Sequence, residues 1–173
     1  IYDMSQNKRF LNLFCYTASA SVYAIKGGAK SSLSIDMSKS YIDWAKRNFS
    51  LNGLCTKSNE VIREDCLVWL DKNAKNKLGQ YDLIFLDPPT FSNSKKMDHA
   101  FDVQTDHIEL IKSSMLLLAT SGSLVFSNNF RNFSMSSNIL ENYEVCNITD
   151  KTFDPDFQRN KKIHNCWIIR HAK

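Results

Sequence analysis

Two rhythms of apolar residues alternate along the chain. Short apolar runs at residues 10–15, 31–35, 60–63, 81–86 and 122–126 read as buried strands. Residues 144–148 and 163–169 are later strand candidates. Between these runs the apolar spacing is helical. Residues 18–26 predict a helix closed by Gly27-Gly28. Ser38 caps a predicted helix in which Tyr41, Ala45 and Phe49, with Ile42 beside them, share one face, and Asn52-Gly53 stops it. Residues 66–73 predict a helix carrying Leu67, Trp69 and Leu70, and residues 101–119 one running through Val103, Ile108, Ile111, Met115 and Leu118. A shorter helix falls near residues 136–142. The stretch 72–80 is polar and ends in a loop, and a long loop spans 90 to about 100.

Strand and helix thus alternate at least four times, which argues a parallel sheet with helices on both faces. In such sheets ligands bind at the carboxyl ends of the strands, near the point where strand order reverses. Strand ends are therefore where chemistry is expected.

At 173 residues, 43% of them apolar and 23% charged, the chain suits one domain with a sizeable core, residues 1–173 throughout. Its longest apolar runs fall far short of the roughly 20 residues that cross a membrane. The net charge of +4 is a weak pointer to an anionic partner. Its distribution adds detail. Arg159, Lys161, Lys162, Arg170 and Lys173 form an acid-free basic stretch, which a solvated surface strand with a loose tail would equally explain. The five cysteines are odd in number and lack C-x-x-C spacing, and the four histidines do not stand at ligand intervals from them. Reduced thiols in a cytoplasmic protein without a metal site are expected. No secretory signal opens the chain and no initiator Met is present, so it reads as a piece of something longer.

Four strand ends carry candidate chemistry. The first continues as Asn12-Leu13-Phe14-Cys15-Tyr16-Thr17-Ala18-Ser19, a turn into a helix N-terminus whose N–H groups suit an anion. It lacks G-x-G-x-x-G, which disfavours a dinucleotide and leaves room for a ligand bearing a carboxylate and an amine. The second ends at Asp36, 22 residues after Phe14, placed either to accept from ribose hydroxyls or to cap the next helix. After the third come Asp65 and Cys66. Asp65 could accept from an adenine amino group or serve as an N-cap. The fourth ends in Asp87-Pro88-Pro89-Thr90-Phe91, a rigid turn presenting the carbonyls before each proline beside an aromatic ring, on which a planar substrate could stack.

These motifs resemble those of class I S-adenosylmethionine-dependent methyltransferases, and within them the bifunctional bacterial 23S rRNA methyltransferases. The likeness also takes in Ile35-Asp36-Met37-Ser38, Asn48 to Asn52-Gly53, the continuation of the proline turn through Lys95, Phe101-Asp102-Val103-Gln104, Phe126-Ser127-Asn128-Asn129 and Ile163-His164-Asn165-Cys166-Trp167. The resemblance implies a Rossmann-like, mostly parallel seven-stranded sheet with an antiparallel last strand. It implies S-adenosylmethionine as donor and guanine N7 in helix 74 of 23S rRNA, or its precursor, as acceptor. Residues Asn12 to Thr17, with Ala18 and Ser19, would surround the methionine end. Asp36 would hold the ribose, Met37 the adenine face, Asp65 and Cys66 the adenine edge. Asp87, Pro88, Pro89 and Phe91 would face the methyl group and target base. The partners implied are the rRNA and upstream domains of the same polypeptide, with no membrane and no metal. Many relatives have Gly where this chain has Ala18, and a Cβ there could narrow the cofactor approach if the backbone needs positive φ.

A guanine N7 has no proton to lose, so its methylation asks for positioning and charge stabilisation. The proline motif alone does not separate N2 from N7. Pyrimidine C5 methylation needs a cysteine nucleophile, and no cysteine follows residue 126 where related enzymes place it. A non-catalytic RNA-binding module of the same fold is the other alternative. Asn128 or Asn129 could bond the guanine edge or simply form a strand-end turn. His164 sits in a strand candidate, where a structural role is usual. An antiparallel last strand would bring Arg159, Lys161 and Lys162 to the ligand side, and Lys95 and Lys96 in the long loop could likewise meet phosphate.

Overall fold

The computed structural model describes residues 1–76, 78–92, 100–153 and 163–172. In chain order its elements are β1 (Arg9–Leu13), α1 (Ser19–Lys26), β2 (Ser31–Asp36), α2 (Lys39–Leu51), β3 (Asn59–Arg63), α3 (Cys66–Asn73), β4 (Tyr81–Leu86), β5 (Phe91–Ser92), β6 (Phe101–Asp102), α4 (Val103–Leu117), β7 (Leu118–Asn128), α5 (Ser137–Asn142), β8 (Tyr143–Asn147) and β9 (Asn165–His171). The main sheet has seven strands in the order β3-β2-β1-β4-β7-β9-β8. The first five of these are parallel to one another, and β9 is antiparallel to both β7 and β8.

Side-chain alternation along the strands builds the two layers. From β1 and β4, Leu11, Leu13, Ile84 and Leu86 join Trp69 and Leu70 of α3 and Ile111 and Met115 of α4 in the largest apolar cluster. Phe10 and Leu83 point the other way and pack with Ala24 of α1. Ile42, Ala45 and Phe49 of α2 form a third cluster with Cys15 and Ala18. Helix α1 ends at Gly27, where a Cβ would run into the Tyr2 carbonyl oxygen.

Several expectations shift in register. Tyr41 does not share the buried face of α2. The core positions are 42, 45 and 49, and Tyr41 lies about a quarter-turn away, in solvent. The expected helix from residue 101 starts at Val103, because extended Asp102 caps it by accepting from Gln104 N at 2.8 Å. The long loop after residue 90 is framed by an antiparallel ribbon pairing Phe91 with Asp102 and Ser92 with Phe101. Strand β7 begins four residues before its expected start, directly after α4.

The fold places the ends of β1, β2, β3, β4 and β7 together, with the start of antiparallel β9 beside the end of β7, where Asn128 pairs with Asn165. All the strand-end motifs therefore lie on one rim of the sheet.

Candidate functional site

The turn after β1 is built from alternating backbone conformations. Phe14 (φ 58°), Tyr16 (φ 51°) and Ala18 (φ 57°) are left-handed, with Cys15 and Thr17 between them. Each left-handed non-glycine residue costs about 1–2 kcal/mol, so the turn must be held from outside. It is. Phe14 N donates to the Cys66 thiol (3.1 Å), Cys15 N to the Ile35 carbonyl (2.9 Å) and Tyr16 N to Asp36 Oδ2 (3.0 Å). Asn48 Nδ2 donates to the Thr17 carbonyl (2.9 Å), and Thr17 and Ser19 share a hydroxyl contact at 3.3 Å. The turn delivers the chain into α1, whose first N–H groups lack intrahelical acceptors and carry the positive end of the helix dipole. That end suits a carboxylate. The departure anticipated at Ala18 takes the feared form, a Cβ on a left-handed backbone, but the methyl packs into the cluster beneath α2.

Asn12, one of the residues expected around the methionine end, is 1% exposed, and its side chain turns to the α1 face of the sheet. Its Nδ2 donates to Ser21 Oγ (2.8 Å), which in turn meets Ser34 Oγ (2.8 Å). Asn12 pins α1, and through it the turn, to β1 and β2. Its Oδ1 is buried without a partner among the described residues.

Asp36 ends β2 and ties two loops together. One carboxylate oxygen accepts from Tyr16 N and the other from Ser38 N (2.9 Å), while the Ser38 side chain caps α2. A carboxylate oxygen has two lone pairs, so each keeps acceptor capacity toward hydroxyls. Asp65 caps α3 through Leu67 N (2.9 Å). The Cys66 thiol is buried and donates to the Ile35 carbonyl (3.5 Å). Burial pushes that thiol well up from its ordinary range. A narrow slot runs between Phe14, Met37, Asp65, Leu67 and Phe101. It offers apolar faces with acids at its edge.

A wider pocket opens from this slot. Tyr16, Asp36 and Met37 line it from the turn side, and Asp87, Pro88, Pro89, Thr90 and Phe91 from the other. The Thr90 carbonyl accepts from Val103 N (3.0 Å), fixing the proline turn against α4. Phe91 is exposed, and its ring meets Phe130 edge-on at 6.3 Å. Asp87 is half-buried, and the loss of solvent around it raises its carboxyl. The Ser127 hydroxyl, donating to Oδ1 at 2.6 Å, and nearby His164 work against that rise. Burial lowers the His164 ring below the ordinary histidine range, with Asp87 opposing.

Asn128 and Asn129 part company. Asn129 lines the pocket. Asn128 is fully buried, and its Oδ1 accepts from Phe130 N (3.1 Å) and Asn165 Nδ2 (3.2 Å), the strand-end turn of its two alternatives. Lys95, Lys96, Arg159, Lys161 and Lys162 lie outside the described residues. Sequence reasoning gave no site role to Ser127, Tyr41 or Phe130. Ser127 has a retrospective signal, since it lies one residue past Phe126, the partner of Leu86, as Asp87 does past Leu86. Among the described residues no cluster of three or more His, Cys, Asp or Glu could hold a metal ion, and no helix is long and apolar enough to cross a membrane.

Comparison with known proteins adds to this geometry. The S-adenosylmethionine-dependent methyltransferase profile matches residues 1–144. The chain is 52% identical over 171 residues to the Ribosomal RNA large subunit methyltransferase K/L of Cellvibrio japonicus, covering 99% of this chain and 22% of that protein. It is 57% identical over 169 residues to the protein of the same name from Pseudomonas fluorescens Pf0-1, covering 98% and 22%. The chain thus spans less than a quarter of the length of these relatives. Among solved structures, SMU.776, a candidate methyltransferase in complex with SAH, superposes with a TM-score of 0.76 at 24% identity, over 97% of this chain and 46% of that one. Ribosomal protein L11 methylase from Lactobacillus delbrueckii subsp. bulgaricus gives 0.68 at 16% identity, over 98% and 73%. These two likenesses establish the shared fold.

Proposed function

The chain belongs to the S-adenosylmethionine-dependent methyltransferase family, and from that premise we propose that it methylates 23S ribosomal RNA at a guanine N7. One observation carries the reading. The nucleoside-side residues Phe14, Asp36 and Met37 and the Asp87 to Phe91 turn line a single pocket. The relatives aligned over nearly the whole chain are ribosomal RNA methyltransferases by name, which supplies the substrate class.

S-adenosylmethionine, when bound, supplies an electrophilic methyl group. The turn from Phe14 to Ser19 and the N-terminus of α1 would hold its amino-acid end, Asp36 its ribose, and the slot by Met37 and Leu67 its adenine. The acceptor asks little acid–base chemistry of the protein, because N7 carries an in-plane lone pair and no proton. The protein's work is positioning. Phe91 would stack the base, and the Asp87 to Phe91 turn would hold it with N7 in line with the methyl group. The Asp87 carboxylate, held by Ser127 in a water-poor setting, favours the positive charge that spreads over the methylated ring.

Cysteine chemistry at a pyrimidine C5 is disfavoured by the thiols themselves. Cys15 and Cys166 near the pocket are pushed up to about 12 by burial and are poor nucleophiles.

Incubation of the chain with S-adenosylmethionine and a 23S rRNA fragment, followed by nucleoside mass spectrometry, is expected to give 7-methylguanine. N2-methylguanine or 5-methylcytosine would overturn the N7 assignment. Calorimetry with S-adenosylhomocysteine provides the second arm. The parent chain binds, and Asp36→Ala loses at least about tenfold in affinity, since removing a charged acceptor of two hydroxyls costs over 1.4 kcal/mol. An absence of heat from the parent would remove the enzyme reading altogether.

A further inference from the structure

Helix α2 has two unlike faces. Ile42, Ala45 and Phe49 enter the core, while Tyr41, Trp44, Arg47 and Leu51 follow one another at helical spacing on the outside. Trp44 is 48% exposed, whereas the other two tryptophans, Trp69 and Trp167, are 4% and 6% exposed. The Arg47 guanidinium lies 6.0 Å from the Trp44 ring centroid. Helix α2 holds three basic residues, Lys39, Lys46 and Arg47, against one acid, Asp43. This ridge is continuous with the pocket. The Tyr41 ring meets Tyr16 edge-on at 4.5 Å, and both line the wall facing Asp87 and Phe91.

We propose that the Tyr41–Trp44–Arg47 ridge is a binding track for the unpaired ribonucleotides flanking the target base. The inference rests on the RNA methyltransferase reading above and extends it to a surface that reading does not use. An enzyme working on a ring atom of a base must take that base out of its stack, which leaves neighbours needing a new partner. Exposed aromatic rings supply one for any base sequence, and an arginine stacked beside them meets the backbone phosphate. A protein partner would call for a broader apolar patch with charge excluded from its centre, whereas this ridge is narrow, cationic and joined to the pocket mouth.

The test uses the intact chain, a short single-stranded oligoribonucleotide containing one guanine, and two readouts. Anisotropy of the labelled RNA gives affinity. Tryptophan emission reports the ridge directly, because its solvent-exposed component comes from Trp44. RNA is expected to quench that component. Trp44→Ala is expected to weaken binding roughly tenfold, a typical loss for one stacked base, and Trp44→Phe to restore most of it. Arg47→Gln is expected to lower the slope of log affinity against log salt by about one. S-adenosylhomocysteine affinity should be unchanged in Trp44→Ala, showing that the fold is intact. If the parent binds RNA but its emission does not change and Trp44→Ala binds equally well, the track is overturned while the methyltransferase reading stands. In that event the face is left to a protein partner. If the parent binds no RNA, both the track and the RNA substrate fall.

Discussion

At the scale of single residues, the proposed chemistry turns on Asp87. Its carboxyl is raised by burial, and the Ser127 hydroxyl is the hydrogen bond that counters the rise. The sign of a change there follows directly. Ser127→Ala removes a donor that stabilises the carboxylate, so Asp87 takes up its proton at a higher pH. The acid limb of the methylation rate against pH is expected to move toward neutrality in Ser127→Ala and to stay in place in Ser127→Thr. A merely structural Ser127 would instead lower the rate evenly at all pH values. Cys66 shows how one side chain can serve a site without facing it. Its thiol accepts from Phe14 N and donates to the Ile35 carbonyl, joining the α3 N-terminus, the β1 turn and β2.

At the scale of elements, strands β1 and β4 are tied at their amino ends by Arg9 and Asp82. The pair is bidentate, Nε to Oδ2 at 2.9 Å and Nη2 to Oδ1 at 2.8 Å, and Arg9 N also donates to Oδ2 at 2.9 Å. The Arg9 hydrogen bonds hold the Asp82 carboxyl below the usual range. A depressed carboxyl contributes stability above its unfolded value of about 3.9 and loses it as pH falls through the folded value. The pair is partly exposed, so Asp82→Asn is expected to cost about 1 kcal/mol in urea unfolding at pH 7. The gap should close in acid below the folded value. A gap that persisted there would assign the loss to packing. The elements also show what the sequence made readable. β2, α3 and β4 are continuous or periodic runs ending at Asp36, Asn73 and Asp87-Pro88, and local composition alone marks them. The start of β7 is hidden because Thr120, Ser121 and Gly122 look like a loop. They fall in a register irregularity of the ladder with β4, between the paired Leu118 and Ser123, so no regular alternation marks them in the sequence. The two-residue strands of the β5–β6 ribbon are equally invisible, since each depends on a partner about ten residues away in the chain. The same division runs through the site. Asp36, Asp65 and the proline turn end strands and could be read in place. Ser127 and Tyr41 join the site through cross-strand register and helix rotation.

At the scale of the whole molecule, the site occupies one rim of the sheet and the reactive thiols lie elsewhere. Cys55 and Cys146 are exposed, while Cys15, Cys66 and Cys166 are buried. Ellman's reagent is expected to titrate two thiols rapidly in the native chain and all five in denaturant. A third fast thiol would show that the turn around Cys15 and Cys66 opens readily. Charge divides unevenly as well. The first 80 residues hold 12 basic and 7 acidic side chains, and the proposed RNA track lies in that part. The strand order has a consequence for how the molecule comes into being. β9 follows β8 in the chain, yet it lies between β7 and β8 in the sheet. A ribosome releases β8 well before β9, and the two strands β9 joins have no contact ladder of their own. The parallel half can close while the chain is still growing, but β7 keeps a bare edge until residue 171 has emerged. Closure of this sheet therefore waits on β9, and a nascent chain stalled before it would display an edge ready to pair with a neighbour.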